Sequence, residues 1–143
     1  MDYHGVTPED FGASLRGIGL NLLVRDVPRQ VAFLETVFGM EAFQPSADFA
    51  IMRYGDQVFQ LHSDGTYRAN PLLGLLPESP PRGAGIEIRL YDSDPDAVCA
   101  AAEGAGGTIL QGATDKPHGL RECYILCENG YAWVASRPVA GTE

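Results

Sequence analysis

The stretch "GIGLNLLVRDVPRQVAFLETVFGM", residues 17–40, decides the fold because it predicts a buried strand followed by a helix. Apolar residues alternate with other residues up to Val24, which is the period of a strand. Pro28 suits the first turn of a helix, and Gly39 suits its end. The segments "EAFQP", "DFAIMRY" and "QVFQLHSD" then predict three short strands. The whole unit is therefore predicted to be βαβββ.

A second stretch, "GAGIEIRLYDSDPDAVCAAAEGAGG", predicts the same order of elements. Gly19 and Gly85 are separated by the same interval as Asp26 and Asp92, which indicates an internal repeat. The segments "TILQGA", "LRECYILC" and "YAWVASR" predict the remaining strands, with an Asn-Gly hairpin turn before the last one. The predicted fold is α+β, with two βαβββ modules forming a curved mixed sheet around a cleft.

The length of 143 residues suits one domain with a core of its own. Within it we predict an N-terminal arm over residues 1–16 and a first module over residues 17–64. A linker rich in Pro and Gly over residues 65–83 is predicted to lead to the second module, residues 84–138.

Charge and composition exclude several classes of partner. The formal net charge of −9 disfavours nucleic acid, whose phosphates it would repel, and favours cationic small molecules. No segment is apolar over the length that a membrane span needs, so no membrane partner is predicted. Three cysteines without CxxC spacing suit a reducing compartment, and we predict a cytoplasmic protein.

Two segments, "VRDVPRQVAFLETVFGM" and "DKPHGLRECYILCENGYAW", resemble the vicinal oxygen chelate superfamily. This superfamily contains glyoxalase I, extradiol dioxygenases, fosfomycin-resistance enzymes and bleomycin-binding proteins. The second segment is similar to the closing segment of bleomycin-resistance-type members. The resemblance extends roughly over residues 17–138 and implies a glyoxalase-like fold.

The resemblance also locates the positions at which the enzymes of this superfamily hold a metal. They match Gly19, Gln60, Gly85 and Val134 in this chain. Glycine and valine side chains offer no lone pair, and one neutral amide cannot hold a divalent ion alone. The resemblance therefore implies the metal-free, bleomycin-resistance-like branch, with no cofactor and no metal site.

The strand period places five polar residues around the predicted cleft, and we expect them to bind the ligand: Asn21, Gln60, His62, Glu87 and Arg89. Glu87 and Arg89 could equally form an ion pair with each other, and Asn21 and Gln60 could share a hydrogen bond. His62 is either a ligand contact or proton carrier, or a solvated residue at a strand end.

His118 is the sixth predicted ligand-binding residue. It stands where related loops often carry tryptophan, so it could stack on a planar ligand or simply cover the loop.

Three functions are compatible with this sequence. The first is a metal-free binding protein that sequesters a planar or cationic small molecule. The second is a metal-independent lyase or isomerase with Glu87 as general base, its pKa raised by burial. The third is a degenerate interaction module. The resemblance also predicts a homodimer, because clefts in this superfamily are commonly completed by a second chain.

Overall fold

The computed structural model describes residues 2–67, 71–76 and 82–139 of the chain. The chain divides into two compact units, each described in turn below. They comprise Met1–Glu35 with Gly39–Leu75, and Thr36–Phe38 with Leu76–Glu143. None of the helices in the described residues is long and apolar enough to cross a membrane.

The first unit begins with a short helix and continues as a βαβββ module. Its elements are α1 (Pro8–Ser14), β1 (Asn21–Val24), α2 (Val27–Phe38), β2 (Glu41–Phe43), β3 (Phe49–Tyr54) and β4 (Gln57–Ser63). The strands form one sheet in the order β1-β4-β3-β2. Only the β1–β4 pair is parallel, so the sheet is mixed.

The second unit has the same order of elements. It contains β5 (Glu87–Tyr91), α3 (Pro95–Gly104), β6 (Thr108–Asp115), β7 (Leu120–Leu126) and β8 (Ala132–Pro138). Its strands form a sheet in the order β5-β8-β7-β6, with β5 and β8 parallel. Two short 3₁₀ turns follow β4: Asp64–Tyr67 begins one residue before the predicted linker, and Pro71–Leu75 lies within it. Residues 68–70 and 77–81 of that linker lie outside the described residues.

The capping residues of the helices confirm the predicted boundaries. The Asp26 side chain accepts a hydrogen bond from the Arg29 backbone at the start of α2. Gly39 ends this helix at φ 66°, a conformation that glycine adopts without strain. Gly130, at φ 83°, forms the predicted turn between β7 and β8.

The repeat is less regular than its glycine spacing suggests. Both first strands keep the predicted interval, because they begin at Asn21 and Glu87. The helices do not, because α3 is capped by Asp94 rather than by Asp92. Asp92 instead has φ 61° and lies in a turn that is one residue longer than its counterpart in the first unit.

The backbone hydrogen bonds define one four-stranded mixed sheet in each unit within the described residues. β1 and β5 each lie at an edge of their own sheet, paired on one side. The α+β class and the two βαβββ modules are confirmed. The cleft between the modules stays a prediction.

The core residues of each sheet follow the strand period. In the first unit, Leu61 is fully buried at the centre of β4. In the second unit, Trp133 is fully buried on β8. Ile86 departs from strand alternation, because it is 57% exposed and lies in the turn before β5.

Candidate functional site

One face of the first sheet carries three of the predicted site residues. We call it the arm face, defined by Asn21 and Leu23 of β1, Phe43 of β2, Phe49 and Ile51 of β3, and Val58, Gln60 and His62 of β4. The register pairs Asn21 with Gln60 and Gln60 with Ile51, and pairs His62 with Phe49. Directly paired residues point to the same side of a sheet. Asn21, Gln60 and His62 are therefore brought together.

The two polar residues of β4 on this face contact each other. The Oε1 atom of Gln60 lies 3.1 Å from Nε2 of His62, and the imidazole packs 5.1 Å from the ring of Phe49. Burial lowers the pKa of His62 below its ordinary value, because the charged form loses solvation. His62 is thus a half-buried, largely neutral imidazole held by an amide and an aromatic ring.

The corresponding face of the second sheet is built around a buried carboxylate. We call it the polar face, defined by Glu87, Arg89 and Tyr91 of β5, Glu122 and Tyr124 of β7, and Ala132, Val134 and Ser136 of β8. These residues are brought to one side by the registers of β5, β7 and β8. Helix α3 lies on the other side, where Arg121 pairs with Asp96 at 2.9 Å.

Glu122 is only 1% exposed and contacts four side chains. Arg89 donates from Nη2 to Oε2, and the Ser136 hydroxyl donates to the same oxygen at 3.2 Å. The Tyr124 hydroxyl lies 3.3 Å from Oε1, and Nε2 of His118 lies 3.4 Å from Oε2. A buried charge is tolerated only when it is paired and hydrogen-bonded in this way.

These contacts decide the protonation state of Glu122. Burial opposes ionisation and raises the pKa, but His118, the charge of Arg89 and the Ser136 hydroxyl together outweigh it. The net result is a pKa below the ordinary glutamate value. Glu122 is therefore a structural carboxylate that is ionised at neutral pH, and it is not suited to exchange protons with a substrate there.

Glu87 and Tyr91 are the solvent-facing members of the polar face. The Glu87 side chain is 47% exposed and accepts from Nη1 of Arg89 at 3.0 Å. Tyr91 is 57% exposed, and its hydroxyl accepts from Nε of Arg89 at 3.2 Å. One guanidinium lies between the carboxylates of Glu87 and Glu122, so these three groups carry one excess negative charge.

The structure also bears on the alternatives left open by the sequence. The ion pair between Glu87 and Arg89 is present. His118 lies within reach of Glu122 and its side chain is 55% exposed, so it is anchored at one side and open at the other. Burial raises the pKa of the Cys123 thiol to about 11, which leaves it protonated and poorly nucleophilic.

The four positions that the resemblance assigns to a metal do not fit one. Gly19, Gly85 and Val134 bring no donor atom, and the Oε1 atom of Gln60 is already engaged with His62. A Cβ atom added at Gly19 would meet no atom within 4 Å, so crowding is not the reason for that glycine. Among the residues that the structure describes, no three His, Cys, Asp or Glu side chains converge as a metal site would require.

Glu122 and Tyr91 are the residues that the sequence analysis missed. Tyr91 could have been found from the strand period, because it follows Arg89 by two positions. Glu122 lies in the "RE" pair of the segment that carries the resemblance, but an acidic residue in a strand is ordinarily exposed. Its burial depends on Arg89 and Ser136 from two other strands, which no local pattern reveals.

Comparison with known proteins supports the fold. No protein-family model matches the chain, and no curated protein matches it in sequence. A glyoxalase/bleomycin resistance protein/dioxygenase family enzyme from Burkholderia phytofirmans PsJN is similar in structure, with a TM-score of 0.71 and 17% identity. The similarity covers 85% of this chain and 97% of that one.

Two further solved structures are similar over most of their length. A glyoxalase/bleomycin resistance protein/dioxygenase from Nocardioides has a TM-score of 0.64 at 19% identity, covering 93% of both chains. TioX from Micromonospora sp. ML1 has a TM-score of 0.62 at 23% identity, covering 87% of this chain and 99% of that one. The chain therefore has the fold of glyoxalase/bleomycin resistance/dioxygenase proteins.

Proposed function

We propose that this chain is a metal-free small-molecule-binding protein of the glyoxalase/bleomycin-resistance type. Its ligand is a planar cation, which it sequesters without transforming it. The similarity of fold supports the type of protein, and the missing donors at Gly19, Gly85 and Val134 support binding without a metal.

We also propose the homodimer predicted from the resemblance. Sedimentation of only a 15.4 kDa species at micromolar concentration would reject it.

The observation that carries this proposal is the difference in surroundings between two carboxylates, Glu122 and Glu87. Glu122 is saturated by partners inside the protein, whereas Glu87 remains half exposed on the same face as the exposed ring of Tyr91, with Arg89 in contact with both. A half-exposed carboxylate and an exposed aromatic ring on one face suit a flat cation, which can stack on the ring and pair with the charge. The net charge of −9 attracts the same class of ligand.

The lyase or isomerase alternative is less well supported. It requires a buried Glu87 whose desolvation makes it a strong base. The Glu87 side chain is instead 47% exposed and paired with Arg89, so the environment that the mechanism needs is not found around it. Glu87 is therefore proposed as a ligand-binding carboxylate, together with Asn21, Gln60, His62, Arg89 and His118.

A titration with proflavine, a planar cationic dye, tests this proposal. We expect saturable binding to the wild-type protein, and an affinity about fivefold lower in Glu87→Gln, since an exposed ion pair contributes up to about 1 kcal/mol. The loss should shrink at high salt because screening weakens exposed pairs. Glu103→Gln, which removes an exposed charge from α3, is the control and should bind as the wild type does.

Two results would reject the proposed function. Equal proflavine affinity in the wild type and in Glu87→Gln would remove Glu87 from the site. A thermal-shift screen identifies compounds that stabilise the protein. If NMR of a mixture of the protein with such a compound shows that the compound is chemically converted, the protein is an enzyme.

A further inference from the structure

The N-terminal arm lies on the arm face of its own sheet. Helix α1 is capped by Thr7, whose hydroxyl accepts from the Asp10 backbone at 3.1 Å. Phe11 of this helix is 6% exposed and belongs to a hydrophobic cluster with Phe43 and Ile51 of the sheet. Tyr3, Val6, Phe49 and Val58 pack against that cluster. The arm thus covers part of the predicted ligand-facing surface.

Gln44 fastens the arm to the end of β2. Its Nε2 atom donates to the backbone oxygens of Tyr3 at 2.7 Å and Val6 at 2.9 Å, using both amide hydrogens. Gln44 has φ 52°, a conformation that residues other than glycine adopt at a cost. The strained backbone conformation therefore occurs at Gln44, the residue whose side chain is hydrogen-bonded to the arm.

The arm divides the arm face into two halves. Along one row of the register, the residues run from Asn21 and Gln60 to Ile51 and Phe43. Asn21 and Gln60 are polar and lie on β1 and β4, whereas Ile51 and Phe43 lie under the arm. The arm therefore occupies the apolar, aromatic half and leaves the polar half uncovered by this cluster.

We propose that the N-terminal arm is a specificity-determining element that fills an aromatic subsite of the first sheet. With the arm in place, a ligand reaches this sheet only through the polar half. When the arm is released, the subsite of Phe43, Phe49, Ile51 and Val58 accepts a flat, neutral aromatic molecule. The ligand-facing role of this surface rests on the proposed function, but the existence of a covered aromatic subsite does not.

The test is a titration with the neutral dye N-phenyl-1-naphthylamine, which fluoresces in apolar surroundings and is not repelled by the acidic protein. Gln44→Gly removes both hydrogen bonds to the arm, and glycine accepts the positive φ. Phe11→Ala removes the main apolar anchor of α1. Gln57→Gly, which makes the same exchange at an exposed position of β4, is the matched control.

We expect Gln44→Gly and Phe11→Ala to bind the dye at least about tenfold more tightly than the wild type, a difference of about 1.4 kcal/mol. The amides of α1 should exchange with solvent faster in both variants, and Gln57→Gly should behave as the wild type. Dye affinities equal to the wild type in both arm variants would overturn the proposal, and so would an equal gain in Gln57→Gly. Discovery of an enzymatic activity would reject the proposed function and leave this result unchanged.

Discussion

Replacing Glu122 by alanine is expected to lower the free energy of unfolding by about 3–5 kcal/mol, because it removes the buried carboxylate that pairs with Arg89 and leaves that guanidinium only the half-exposed Glu87. Ser136, which is fully buried, loses the acceptor of its hydroxyl in the same variant. Urea unfolding measures the effect. Glu87→Ala is the control, because the half-exposed pair of Glu87 with Arg89 contributes only about 0–1 kcal/mol. Equal losses in the two variants would contradict the description of the polar face.

Acid should have the same effect on the wild-type protein as the substitution. The pKa of Glu122 is lowered in the folded state, so its stabilising contribution is complete above the unfolded value of about 4.3 and disappears as the pH falls through the lower folded pKa. The difference in stability between wild type and Glu122→Gln should therefore be constant near neutral pH and shrink under acidic conditions. A difference that stays constant down to about pH 2 would show that ionisation of Glu122 is not its source.

Leu61→Ala is expected to destabilise the protein by about 2–5 kcal/mol through a cavity in the core of the first unit. Leu61 is fully buried on β4, which pairs with β1 on one side and β3 on the other. Its neighbour Gln60 points to the arm face, and Gln60→Ala should cost only about 1 kcal/mol, the net contribution of a hydrogen bond. A shift of one residue in the register of β4 would exchange these two results. Measuring both variants by urea unfolding therefore tests the assignment of faces on which the candidate site depends.

The sequence predicted the modules because their signals are local. Strand alternation, Pro28 and the terminal Gly39 act over a few residues, and the fold retains all of them. Ile86 departs from strand alternation because Gly85 has φ 86° and lies in a turn closed by a hydrogen bond from the Ile86 amide to the Gly83 carbonyl oxygen. The extended backbone therefore starts one residue later than alternation suggests. The longer turn at Asp92 similarly follows from the positive φ of that residue, and an aspartate in the sequence does not by itself predict a positive φ.

The candidate site was predictable only in part. The period of two correctly grouped Asn21 with Gln60 and His62, and Glu87 with Arg89, since residues on one face follow from register. The burial of Glu122 and the docking of the arm through Gln44 are tertiary contacts between segments distant in sequence. Such contacts depend on the geometry of the sheets and leave no periodic signal in the chain.

The metal content of the native protein tests the central claim most directly. Protein purified without chelator should contain no stoichiometric zinc, nickel, manganese or iron by elemental analysis, because Gly19, Gly85 and Val134 supply no donor atoms. Treatment with a chelator should leave its proflavine affinity unchanged. An equimolar metal whose removal abolishes binding would contradict the account.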